Sequence, residues 1–182
     1  MTDDNRPSPS EFLERVRSEG GEIPVDMIQY VEPRLVPHQD WGNYDENGQY
    51  RKEVVRPLIG SVNEQDRTLI LYLLKQELEA AHAEAATSEA RRLFSYLLSR
   101  IGKVEDALVI WHAKESSFDG FNSVDVQFAV GAGVEETLRF LDQQQTEMAS
   151  YAAKYIRSCK SAGDFENLAE RNAILDREDV WF

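Results

Sequence analysis

The apolar positions of this chain keep a helical rhythm over most of its length and lose it in one place. Between residues 94 and 175 a short phrase recurs three times: Gly102-Lys103-Val104-Glu105-Asp106-Ala107-Leu108, then Ala132-Gly133-Val134-Glu135-Glu136-Thr137-Leu138, then Gly163-Asp164-Phe165-Glu166-Asn167-Leu168-Ala169. The leading small residues stand 30 and 31 positions apart. Eight and four residues before each lie apolar side chains in one register: Phe94 and Leu98, Val124 and Phe128, Tyr155 and Cys159. Apolar residues four apart, a helix-stopping residue and an apolar-acidic pair opening a second run describe a helical hairpin. One hairpin cannot bury its own apolar face, so three at a fixed period predict a stack.

Ser8-Pro9-Ser10-Glu11 has the form of a capping box and predicts a helix carrying Phe12, Leu13 and Val16 inward until Gly20-Gly21. Pro24 opens a second short helix, with Val25, Ile28 and Val31 inward, that ends before Pro33. From Arg34 to Gly60 the period of 3.6 disappears. Asn47-Gly48 between Tyr44 and Tyr50 predicts the tight turn of a small hairpin or ordered loop, whose aromatic residues make it a partner-contact candidate. Asn63 then caps a long helix over 64–86, and Thr87 or Ser88 starts one that runs into Gly102. Further helices are expected over 104–116, 123–130, 134–144, 147–161 and 165–176, with tight reversals at Phe118-Asp119-Gly120 and Gly131-Ala132-Gly133. The expected fold is all-α and single-domain. Residues 1–62 form an N-terminal extension, and residues 63–182 a stack of antiparallel helical hairpins, a short α-solenoid of period 30–31. The tail aromatics Trp181-Phe182 either cap the last hairpin or extend as a recognition peptide, and exposure of such a pair favours capping.

Composition sharpens the functional side. There are 33 acidic and 20 basic side chains, a formal net charge of −13. Such a surface repels phosphate, and the clusters Arg91-Arg92 and Arg51-Lys52 each have an acidic neighbour, so neither nucleic acid nor an anionic membrane is an expected partner. Segment 104–147 carries nine carboxylates and two cations, which reads either as a solvated face or as a docking surface for a basic protein. Cys159, the single cysteine, excludes an intrachain disulfide and falls at a repeating apolar position. No window approaches a membrane span and the first residues are polar, so the expected compartment is the cytoplasm.

Two family resemblances follow from these residues. Gly102 to Leu108, leading to Trp111 and with Ala107 at the close approach of two helices, resembles the middle of a tetratricopeptide repeat. Asp119-Gly120-Phe121-Asn122-Ser123-Val124, running to Gly131 and Val134-Glu135-Glu136, is similar to an ankyrin repeat. Both resemblances imply stacked helical hairpins and, by analogy of fold, protein binding.

Candidate chemistry is sparse. Glu79 and His82, and His112 and Glu115, are three apart on their helices, but a di-iron bundle needs two Glu-x-x-His pairs in one order and two further carboxylates. Asn43, Asp45, Asn47 and Gly48 have the spacing that opens a calcium loop, while Val54 stands where its glutamate belongs. No nucleophile elbow or phosphate loop occurs, and no metal or cofactor is expected. The reading at this level is a non-enzymatic protein-protein interaction module, in concrete form an acidic immunity or inhibitor protein that neutralises a basic toxin or effector. Its contact residues are expected among Trp41, Tyr44, Asp45, Glu46, Glu105, Asp106, Asp119, Asp125, Glu135 and Glu136. The alternatives are a small α-helical metal-binding enzyme using Glu79, His82, His112 and Glu115, and a structural subunit of a larger assembly.

Overall fold

The computed structural model describes residues 5–39, 42–83, 85 and 88–182, and these are mostly helical with one small sheet. Helix α1 (Pro9–Ser18) starts on the expected box: the Glu11 amide donates to Ser8 Oγ and the Ser8 amide to Glu11 Oε2. Phe12, Leu13 and Val16 are buried, and Phe12 meets the Tyr50 ring edge-on at 5.9 Å. After a 3₁₀ turn at Val25–Tyr30, strands β1 (Leu35–His38) and β2 (Gly42–Asp45) pair antiparallel, Leu35 opposite Asp45.

The hairpin therefore exists, but Asn47-Gly48 is not its turn. Asn47 has a right-handed backbone (φ −91°, ψ −9°) and leads into helix α2 (Gly48–Val55). The reason is tertiary. Asp45 Oδ1 accepts from the backbone amides of Arg34 and Asn47, and the buried Asn47 amide group donates to the carbonyls of Gln29 and Glu32. Those four bonds fix the conformer against the dipeptide's own preference.

Asn63 caps a 3₁₀ turn (Glu64–Asp66) that continues as α3 (Arg67–His82), shorter than the predicted 64–86. Helix α4 (Ser88–Ile101) packs on it, and Leu69, Ile70, Leu73 and Leu74 join Leu93, Phe94, Leu97 and Leu98 in the interior. Then come α5 (Asp106–Glu115), α6 (Phe118–Ser123), a 3₁₀ segment Val126–Val130, α7 (Val134–Gln143), α8 (Glu147–Ala162) and α9 (Leu168–Leu175). Phe118-Asp119-Gly120 is thus the first turn of α6 and not a reversal, because the Ser117 hydroxyl accepts from the Gly120 amide and caps a helix there. The helix expected over 123–130 is divided, since Val124 is extended between α6 and the 3₁₀ segment.

Glycines with left-handed φ stand at the ends of several elements: Gly102 follows α4, Gly133 is the N-cap of α7 and Gly163 the C-cap of α8. At Gly163 the amides of residues 163 and 164 turn back to Lys160 and Cys159 carbonyls. Antiparallel ion pairs, Glu135 with Lys160 and Asp142 with Arg157, tie α7 to α8. Gly131 sits so close to the end of α4 that a Cβ there would lie 2.2 Å from the Ser99 carbonyl oxygen.

The packing, however, is not confined to neighbours in sequence. Trp181 stacks on Tyr96 of α4 at 5.3 Å and donates its indole N–H to the Leu175 carbonyl at 2.7 Å. Asp176 accepts from the Tyr96 hydroxyl and pairs with Arg100. Glu178 pairs with Arg56 just past α2, and the Phe182 ring lies under the Arg56 guanidinium at 4.3 Å. The tail folds back as the sequence favours, onto α4 and α2. One hydrophobic cluster runs from Phe12 to Trp181.

Candidate partner-binding surface

Most of the carboxylates nominated from sequence are committed within the chain. Asp106 is buried and takes the Arg67 guanidinium through Nε and Nη2, the shortest contact 2.6 Å. Asp45 is buried against Arg51 at 2.5 Å. Both point inward and are not surface for a partner, a correction to the expected contact set. Asp125 lies between Arg92 (3.1 Å) and Arg171 (2.7 Å), Glu46 pairs with Arg34 at 3.1 Å, and Glu135 pairs with Lys160. These carboxylates are therefore interspersed with arginines and lysines from other parts of the chain. Glu105, Asp119 and Glu136 are exposed and form no ion pair among the described residues, and Tyr44 is half-exposed on β2. Trp41 lies outside the described residues.

Arg51 belongs to a buried network. Its guanidinium donates to Glu77 Oε1 at 2.6 and 2.8 Å, to Asp45, and to the Val31 carbonyl at 3.1 Å, with Arg51 and Glu77 fully excluded from solvent. Burial pushes the Glu77 carboxyl up, against the pull of Arg51. The network clamps β2, α2 and α3 together. It also accounts for the calcium-like spacing: Asp45 and Asn47 are occupied by Arg51 and by backbone groups. His82 on α3 and His112 on α5 are both exposed, and no group of three His, Cys, Asp or Glu side chains is arranged to hold a metal ion among the described residues.

A different surface stands out where α5, α6 and α8 meet. Phe118 is 83% exposed, Tyr151 50%, Met148 38% and Phe121 37%. Tyr151 and Tyr155 lie 5.8 and 5.4 Å from the ring of the buried Trp111, and Phe121 meets Tyr155 edge-on at 5.9 Å; Phe118 stands three residues before Phe121 on α6 and Met148 three before Tyr151 on α8. Helix α6 presents its two phenylalanines because both its ends are anchored. Arg91 donates to the Ser116 and Ser117 hydroxyls at 3.0 and 2.9 Å, and the Lys114 ammonium donates to the Phe121 and Val124 carbonyls at 2.5 and 2.8 Å. Burial lowers the Lys114 amine, while these two carbonyls and the Phe121 ring 4.4 Å away stabilise the cation. Gly120 brings α6 against the end of α5, where a Cβ would meet the Ala113 carbonyl oxygen at 2.7 Å.

Exposed carboxylates neighbour these side chains in sequence. Glu115 lies one turn beyond Trp111 on α5, Asp119 is next to Phe118, and Glu147 is one turn before Tyr151; all three are exposed and unpaired among the described residues. Lys154, three residues past Tyr151, is the cation on the same side of α8. The signal for the patch was in the sequence: α8 carries a buried seam of Ala149, Ala152, Ala153 and Ile156 and a second apolar set, Met148, Tyr151 and Tyr155, more than one inward face requires. Elsewhere, the cleft of 650 Å³ between α7 and α8 is crossed by the Glu135–Lys160 and Asp142–Arg157 pairs, and Arg139 also lines it. No helix among the described residues is long and apolar enough to cross a membrane.

A scan against protein-family models finds no match for this chain, and searches of curated proteins and of solved structures find none either.

Proposed function

We propose that this protein is a non-enzymatic binding module that engages a basic protein through the aromatic patch of α5, α6 and α8. In its concrete form it is an acidic immunity or inhibitor protein that covers a cationic toxin or effector. The observation that carries the reading is the pairing of exposed aromatic area with unpaired carboxylates. Phe118 and Tyr151 supply rigid apolar contact of the kind that dominates interface energetics, and Glu115, Asp119 and Glu147 supply the charge around it. A net charge of −13 adds long-range attraction for a cationic partner, an effect that weakens as salt rises. Left-handed glycines at positions 102, 133 and 163, each at a helix boundary, support reading the scaffold as helical-hairpin repeats, an architecture that presents helix faces to partners.

The test immobilises the full chain and its Phe118→Ser variant and exposes both to lysate of the source organism at low and high ionic strength. The expected result is a basic protein retained at low salt by the wild type, released at high salt, and not retained by the variant. Equal retention on both proteins, or no cationic protein at low salt, overturns the proposal.

A further inference from the structure

The cleft between α7 and α8 carries a charge opposite to that of the chain as a whole. Arg139, Arg157 and Lys160 line it with Glu135 and Asp142, three cations against two carboxylates on a protein of net −13. Residues 135, 139 and 142 share one face of α7, so Arg139 stands between the two carboxylates, about 6 Å along the axis from one and about 4.5 Å from the other. Each carboxylate is tied across to α8. Glu135 pairs with Lys160, and Asp142 takes both its bonds from Nη2 of Arg157, at 2.7 and 2.6 Å. Donors are left over. Among the described residues Arg139 has no hydrogen-bond or ion-pair partner, Arg157 Nε and Nη1 have no acceptor, and Lys160 Nζ has one acceptor for its three protons.

We propose that this cleft binds a compact phosphate-type dianion, free or as the head of a small phosphomonoester. Three cations on two helices call for at least three acceptor oxygens, which a phosphate presents tetrahedrally and a carboxylate lacks; guanidinium groups suit phosphate in particular. The two ion pairs supply the selectivity. With Glu135 and Asp142 on either side of Arg139, negative charge concentrated at the centre is attracted, and negative charge drawn out along the groove meets a carboxylate at each end. A single phosphate group is thus accepted and a polyanionic strand is refused. At 650 Å³ the cleft has room for the phosphate and a modest organic remainder. The site uses none of the side chains assigned above to a basic partner, so either reading can fail without the other.

The test titrates inorganic phosphate, glycerol phosphate, acetate and an oligothymidylate of about six nucleotides into the full chain at constant low ionic strength, followed through backbone amide shifts by NMR. Phosphate and glycerol phosphate are expected to give saturable shifts confined to residues 135–142 and 157–161, with affinities at least about fivefold above those of acetate and the oligonucleotide. The tighter of the two identifies the ligand as the free anion or the monoester. Raising the pH from about 5.5 to about 7.5 should strengthen binding of the monoester several-fold, because its second proton leaves near about pH 6. Arg139→Gln, at an exposed site, should weaken binding at least about fivefold with the rest of the amide spectrum unchanged, and Lys75→Gln on the distant α3 should leave it as in wild type. Glu135→Gln frees Lys160 and removes one end charge, and should tighten phosphate binding and admit the oligonucleotide. No saturable shift with either phosphate, saturable binding that Arg139→Gln leaves intact, or oligonucleotide binding to the wild type as tight as that of phosphate overturns the proposal.

Discussion

Replacing Arg51 by Met should be the most damaging conservative change in the N-terminal half. The side chain is fully buried and holds Glu77 and Asp45 together with three charged contacts between 2.5 and 2.8 Å. Met fills much of the volume but leaves two interior carboxylates without the guanidinium that contacts them, with Arg91 acting on Glu77 only at longer range. Breaking such a pair by removing one partner costs about 3–5 kcal/mol, a large part of a total stability of about 5–15 kcal/mol. Urea denaturation followed by far-UV circular dichroism measures it. The pH dependence is a second readout. Burial already holds the Glu77 carboxyl above its ordinary value, and loss of Arg51 removes the opposing pull, so Glu77 in the variant takes up a proton on folding. A group whose folded value is raised contributes stability fully below its unfolded value and loses it as pH climbs through the folded one. The deficit of Arg51→Met should therefore be smallest near about pH 5 and grow toward about pH 7.5. Adding Asp45→Asn and Glu77→Gln should recover roughly half of the loss or more, since no uncompensated charge is then left inside. A loss under about 1 kcal/mol at neutral pH, or one independent of pH, would refute the view that this arginine neutralises interior charge.

Other substitutions separate structure from surface. Trp181→Ala removes a ring stacked on Tyr96 and an indole bond to the Leu175 carbonyl, and should cost about 3–5 kcal/mol in the same denaturation assay. Gly131→Ala forces a Cβ to 2.2 Å from a backbone oxygen of α4, and a loss of at least about 2 kcal/mol or no soluble protein is expected. Phe118→Ser, at an 83% exposed site, should leave the urea midpoint within about 0.5 kcal/mol of wild type, so its loss of binding can be read as loss of contact area.

What the sequence revealed followed from how local each cause is. The Ser8 box, the Asn63 cap and the glycine stop at residue 163 are set by bonds within three to five residues, and each is where the residues place it. Asn47 failed because its partners, the Gln29 and Glu32 carbonyls, come from 18 and 15 residues away. The partners of the acidic positions are just as distant in sequence: Arg67 reaches Asp106, and Arg92 and Arg171 reach Asp125, from other helices. The patch escaped notice because α8 is apolar on two sides, and periodicity alone does not say which side its neighbours cover.

The bond between Arg56 and Glu178 spans 122 residues, and Phe182 closes over the same arginine. In a linear array each unit can form on its predecessor and melt from an end. Here the first helices acquire their last contacts only when the far end of the chain reaches them, a long loop closure that slows folding. Unfolding should accordingly be one concerted transition, and cutting the chain before Asp176 should loosen Tyr96 and Arg56 together, more than 70 residues away from the cut.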